Sequence, residues 1–236
     1  GTQNVVDACI ELKIPKLIHA SSVVAIGSSF TPSALNEDSP YNIEHLNLGY
    51  FQTKRQAEKI VLTAAKESKI NAVSFNPSTI YGAGDAKKGS RKTQVKVASG
   101  KFLFYTNGGV NIISIEDAVE GIIQVAKHGK SGERYILSNE NMTIQQLFER
   151  IAFYGGAKAP KILMPNWALH TIGTTGDIAA KFNYNLGLSS ENAYTATMFH
   201  WFNSKKAQTE LGLKLNSADT AIENSVRWMQ NNGYLK

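Results

Sequence analysis

A single cysteine, Cys9, stands in the 236-residue sequence. No disulfide can close within the chain, and the composition suits a reducing compartment, so a cytoplasmic location is expected. No apolar run reaches the roughly 18 residues that a bilayer-crossing helix needs, so a membrane is not an expected partner. No basic-then-apolar leader opens the chain. The five histidines are His19, His45, His128, His170 and His200. None stands at ligand spacing from another histidine or from Cys9, so no metal is expected. Ser22 lacks the Gly-x-Ser-x-Gly elbow of a hydrolase nucleophile. The net charge of +6 is spread along the chain. Its densest cluster (Lys87, Lys88, Arg91 and Lys92) carries no interleaved aromatics, so nucleic acid is not an expected partner either. Asn141-Met142-Thr143 matches a glycosylation sequon, which without a secretion leader reads as chance.

What remains is an ordinary globular composition, 42% hydrophobic and 19% charged, long enough for one large domain or a domain with an added lobe. Val5, Cys9 and Leu12 recur at helical spacing over 2–13 and predict an apolar helix face. Leu17 to Ser22 is a short apolar run ending in small polar residues, as in a buried parallel strand. A loop rich in Ser, Pro, Asn and Asp follows over 28–48. A helix is expected over 49–67, with Ala57, Ile60, Val61 and Ala64 inward, then a strand from Val73 ended by Asn76-Pro77. Residues 81–92 read as loop and 93–100 as a short helix. A strand over 112–115 leads to a helix opened by Glu116 and Asp117 and ended at Gly129. Tyr135 to Leu137 is a further strand. Thr143 with Gln146 forms a capping box for a helix closed by Gly155-Gly156. Helices are also expected near 166–182, 204–211 and 218–232. Strands alternating with helices in the first half predict an α/β fold with a doubly wound parallel sheet. The helix-rich second half reads as an appended lobe.

Tyr50 and Lys54 are four positions apart and share one helix face. A phenol is a poor acid or base at neutral pH, and a neighbouring ammonium favours its ionised form. Such a pair suits proton exchange in carbonyl–alcohol chemistry. The strand ending at Ser21-Ser22 and the strand ending at Asn76-Pro77 bring their carboxyl ends to the same sheet edge, where ligands bind in parallel sheets. A serine hydroxyl there would steady a developing charge on a substrate oxygen.

These landmarks occur in one order. They are His19-Ala20-Ser21-Ser22-Val23, Tyr50-x-x-x-Lys54, Asn76-Pro77-Ser78-Thr79-Ile80-Tyr81-Gly82, Ile115-Glu116-Asp117-Ala118 and Gly132-Glu133-Arg134-Tyr135. Together they resemble the extended short-chain dehydrogenase/reductases (the NAD-dependent epimerase/dehydratase family), in their dihydroflavonol-reductase-like branch. The resemblance implies a Rossmann-like sheet over 1–78 and 111–138 and a mostly helical substrate lobe over 79–110 and 139–236. It implies that Ser22, Tyr50 and Lys54 are catalytic. Tyr50, Lys54 and Pro77 would touch an NADP or NAD cofactor. Ser22, Asn76 and Thr79 would meet a small-molecule substrate. Two readings of the activity stay open, a reductase of ketones or oxidant of secondary alcohols and a nucleotide-sugar 4-epimerase. The family also pairs through helices matching 2–13 and the Tyr50 segment, so a homodimer is expected.

One family feature has no counterpart: the Gly-x-x-Gly-x-x-Gly turn that grips the pyrophosphate. Residues from Gly1 onward already read as helix, so an upstream segment is expected to precede this sequence. Its loss through disorder or cleavage is favoured over a truncated gene product and over a non-catalytic binding or scaffold module. Lys87, Lys88, Arg91 and Lys92 read as a solvated loop, with an anionic substrate group as the alternative. Phe199, Trp201 and Phe202 read as core, with a substrate wall as the alternative.

Overall fold

The computed structural model describes residues 1–46, 48–84, 89–184, 187 and 189–235. Among them the chain runs α1 (Thr2–Glu11), β1 (Leu17–Ala20), α2 (Gly49–Lys66), β2 (Ala72–Pro77), β3 (Thr79–Tyr81), α3 (Gly89–Ala98), β4 (Phe104–Tyr105), β5 (Gly109–Ser114) and α4 (Ile115–His128). It continues with β6 (Arg134–Leu137), β7 (Glu140–Thr143), α5 (Ile144–Gly155), β8 (Ile162–Leu163), α6 (Asn166–Lys181), α7 (Ser190–Thr197), β9 (Phe199–His200), α8 (Lys205–Leu211) and α9 (Ala218–Asn231).

β1, β2 and β6 form one parallel sheet in that order. Side chains alternate across β2, so its two faces have different fates. Val73 and Phe75 pack with Tyr135 and Leu137 against α4 and α8, through Ala118, Val125, Ala207 and Leu211. Ala72 turns to the other face and joins Val6, Val61, Ala64 and Ala65 of α1 and α2. Ser74 and Asn76 share that second face, and both are fully buried. A second sheet carries β3, β5 and β7, with β9 pairing to β5. It packs on α3, α5 and α9 through Val97, Ile112, Leu147, Ile151 and Ile222.

Several helix ends follow their local signals. Ser114 accepts a hydrogen bond from the Asp117 amide and caps α4. Thr143 and Gln146 make the reciprocal capping box of α5, and Gly156 closes that helix in the left-handed conformation. Gly129 ends α4, as expected. Its backbone is extended, and glycine is required there because a Cβ would lie 2.9 Å from Val73 Cγ2 and 2.5 Å from the Val125 carbonyl oxygen.

The expected inward face of α1 is corrected. Val5 and Leu12 are 52% and 69% exposed, and Val6 is the residue buried against α2, with Cys9 half-buried beside it. In α2 the inward row includes Glu58 as well as Val61 and Ala64, while Ala57 and Ile60 are half-buried. No helix among the described residues is long and apolar enough to cross a membrane.

Candidate active site

The carboxyl end of β1 passes directly into Ser22, whose hydroxyl accepts from the Val24 amide and caps a short 3-10 helix over Val23–Ala25. Tyr50 stands in the first turn of α2, with its side chain 55% exposed. Its ring meets Phe51 edge-on at 6.3 Å. Lys54 lies one turn further on and turns inward, its Nζ donating to the Ala20 carbonyl at 3.2 Å. The lysine is thereby tied to the end of the strand that delivers Ser22.

Ser22, Tyr50, Pro77 and Thr79 line a single cleft of about 420 Å³. Its other walls are Val23, Val24, Phe51, Ser78 and Val110, together with Glu191, Asn192, Thr195 and His200. No local pattern in the sequence marks these last four as site residues. They come from α7 and β9, which reach the cleft because β9 pairs with the start of β5. Among the described residues lining the cleft there is no lysine or arginine.

Asn76, expected at the substrate, sits beneath the cleft instead. Its side chain is wholly buried, and its amide donates to the Ser22 carbonyl at 3.0 Å and to Glu58 Oε2 at 2.5 Å. The period-two alternation explains this, since Asn76 shares the α2-facing side of β2 with Ser74. Ser74 Oγ also donates to Glu58 Oε2, at 3.1 Å, and Arg134 pairs with Glu58 Oε1 at 3.1 Å. A buried carboxylate is costly unless it is paired and hydrogen-bonded, and Glu58 is both. Arg134 in turn donates to the Glu37 carbonyl, and Glu37 Oε1 accepts from the Ile136 amide at 2.8 Å. Burial, the largest influence on Glu37, pushes its carboxyl above the usual carboxylate range.

Two histidines border the site. His200 Nδ1 lies 2.7 Å from Ser28 Oγ and Nε2 lies 2.9 Å from the Thr195 carbonyl. A carbonyl only accepts, so Nε2 carries the proton and Nδ1 accepts from the serine. Burial holds the His200 pKa below the ordinary value, so the ring is neutral. His19 lies on the α2-facing side of β1. Burial lowers its pKa as the largest effect, Glu58 raises it, and Lys54 lowers it further.

Other sequence candidates lie elsewhere. Arg91 is buried, stacked on the Tyr81 ring at 4.2 Å with its guanidinium on the Ile80 carbonyl, so it packs α3 against β3. Lys87 and Lys88 fall outside the described residues. Trp201 donates to the Met142 carbonyl at 3.0 Å and meets Phe199 at 5.0 Å, while Phe202 is core. Among the described residues no three His, Cys, Asp or Glu side chains cluster as a metal site would require.

Residues 1–116, which carry Ser22, Tyr50, Lys54 and Thr79, match the 3-beta hydroxysteroid dehydrogenase/isomerase family. The whole chain is 29% identical to a provisionally named dihydroflavonol 4-reductase of Synechocystis sp., over 242 residues and 70% of that protein. Over its whole length the chain resembles the extended short-chain dehydrogenase/reductases. It is also 24% identical to the short-chain dehydrogenase/reductase family 42E member 1 of Macaca fascicularis, covering 99% of this chain and 65% of that protein. The crystal structure of gox2253 superposes on the full chain with a TM-score of 0.85 at 29% identity, and the chain covers 72% of it. The chain therefore spans 65% and 70% of the length of these two curated relatives. The α/β fold with parallel sheets is that of the family.

Proposed function

We propose that the protein is an NAD(P)-dependent oxidoreductase that reduces a ketone or oxidises a secondary alcohol, with Tyr50 as the acid/base. The observation that carries this reading is the convergence of Ser22 and Tyr50 on one cleft, with Lys54, one turn along α2 from Tyr50, tied to the Ala20 carbonyl of the strand that leads to Ser22. Ser22 orients the substrate oxygen, and Tyr50 exchanges the proton with it. A nicotinamide cofactor, when bound, supplies or accepts the hydride.

The residues present fit the nicotinamide end of such a group. Ser21 Oγ and Ser78 Oγ, buried at the carboxyl ends of β1 and β2, have no hydrogen-bond partner among the described residues, so capacity for a ligand remains beside Pro77. Lys54 and Tyr50 would hold ribose hydroxyls, and Pro77 would pack against the ring.

An uncharged substrate is favoured over a nucleotide diphosphate sugar. The described lining offers a carboxylate, Glu191, and no cation to neutralise a diphosphate. The test uses the full-length protein with NADH or NADPH. Stoichiometric loss of the reduced cofactor on adding a ketone supports the oxidoreductase. Turnover of a nucleotide sugar with no net change in cofactor would replace it with an epimerase. Absence of calorimetric binding of either cofactor would leave a non-catalytic module.

A further inference from the structure

α2 begins without a cap of its own. Leu48, at the N-cap, has no side-chain acceptor, and the first turn contains no acidic residue. The leading amides of a helix have no partner inside it, and the positive end of its dipole lies there. Tyr50 rides on that turn with more than half of its surface in solvent, so its own packing does little to fix it.

The missing acceptor comes from the far side of the cleft. Glu191, in the first turn of α7, accepts from the Tyr50 amide through Oε1 at 3.3 Å. Its Oε2 stands 4.0 Å from where a Cβ on Gly49 would lie, so the carboxylate straddles the opening of α2. Its own helix is capped separately, by Ser189 on the Asn192 amide, which leaves Glu191 free of that duty. α7 is held in place by α6, where the Asp177 carboxylate accepts from the Ser190 amide at 3.2 Å, and by His200, which grips the Thr195 carbonyl.

We propose that Glu191 is a positioning residue for Tyr50. Its carboxylate acts as an N-cap donated in trans, from the substrate lobe to the catalytic helix. It fixes the first turn of α2 and so the direction of the phenol. Both groups also line the same cleft, so the cap spans the space a substrate enters. Substrate contacts with Asn192 or Thr195 and the order of Tyr50 are then linked through one short helix. This rests on the reading of Tyr50 as the acid/base, although the cap itself is measurable without it.

The test compares Glu191→Ala with Glu191→Gln by hydrogen exchange over residues 48–54 and by kinetics in the full-length protein. The amide oxygen of Gln keeps an acceptor, so exchange there stays near wild type. Glu191→Ala removes the acceptor, and exchange of the Tyr50 segment accelerates roughly fivefold or more. With a neutral aryl ketone as probe, Glu191→Ala lowers kcat about tenfold with KM little changed, and Glu191→Gln restores most of it. Unchanged exchange in Glu191→Ala overturns the cap. If Tyr50→Phe abolishes turnover while Glu191→Ala turns over normally, the positioning role falls and the reading of the site survives. If Tyr50→Phe keeps full turnover, the acid/base reading fails, and the exchange data still decide the cap.

Discussion

Glu58 and Asn76 are joined by a 2.5 Å hydrogen bond beneath the cleft, and through it a helix carboxylate supports the backbone of Ser22. The chain of contacts is short. Glu58 holds the Asn76 amide, Asn76 holds the Ser22 carbonyl, and Lys54, one turn before Glu58, holds the Ala20 carbonyl on the same strand. The backbone around Ser22 and the Lys54 ammonium are thus tied together from below by a polar layer between α2 and the sheet.

Removing Glu58 tests that layer. Glu58→Ala leaves the Arg134 guanidinium and the Ser74 and Asn76 donors without their common acceptor. Breaking one half of a buried pair costs about 3–5 kcal/mol. Urea unfolding should show the midpoint falling by that equivalent, with the m-value unchanged. Glu58→Gln keeps one acceptor oxygen and should fall between the variant and wild type.

Tyr50→Phe should leave stability within about 0.5 kcal/mol, since the side chain is largely solvated. Turnover should drop by ~10²–10⁴. Lys54→Met should raise the dissociation constant for the nicotinamide cofactor, measured by calorimetry. Unaltered cofactor affinity would separate Lys54 from the ribose and leave it only its tie to Ala20.

How much of this was legible in the sequence depends on the range of each interaction. The capping box at Thr143 and Gln146 closes within one turn, so its residues announce it. The Tyr50–Lys54 pair is likewise local. Glu58 extends that row by another four residues, yet the apolar stripe of Ala57, Ile60 and Val61 hides it. The signal available was on β2, where polar Ser74 and Asn76 alternate with Val73 and Phe75 in a strand buried on both faces. Such alternation inside a parallel sheet demands a polar partner on the facing helix. Glu191 had no signal at all. Its partner is 141 positions away, and the pairing of β9 with β5 and the packing of α7 on α6 bring it to the cleft. For α1, apolar residues occur on more than one side, so periodicity alone chose Val5 and Leu12 where the fold buries Val6.

Stability should depend on pH through two half-buried histidines. Burial holds both His19 and His200 below the ordinary histidine value. As pH falls through about 6.5 the unfolded chain takes up protons that the folded rings resist. The unfolded state then binds more protons, so stability present above that point is lost as pH drops toward the depressed folded values. Glu37 acts in the opposite sense. Its raised pKa costs stability as pH rises from the usual carboxylate value through its folded value. Thermal melts should therefore fall from about pH 7 to pH 5.5, and His200→Gln should flatten that slope.

The packing of α6 on α7 offers a test of how α7 is coupled to the start of α2. Gly173 lies buried on α6, and a Cβ there would stand 2.9 Å from Ala193 Cβ, 2.9 Å from the Ser189 carbonyl oxygen and 3.0 Å from Ser190 Cα. Two of these are backbone atoms that no rotamer change can clear, so α7 itself must shift. Alanine gains about 1 kcal/mol over glycine in helix propensity, while overpacking costs about 1–3 kcal/mol. Gly173→Ala should therefore be net destabilising by up to about 2 kcal/mol. Because α7 carries Glu191, its displacement should also loosen the contact with the Tyr50 amide, lowering kcat beyond what the lost stability explains. Thr174→Ala, on the exposed side of the same helix, should change neither quantity. If Gly173→Ala melts earlier but turns over at the wild-type rate, α7 moves without disturbing Tyr50, and it is not coupled to the start of α2.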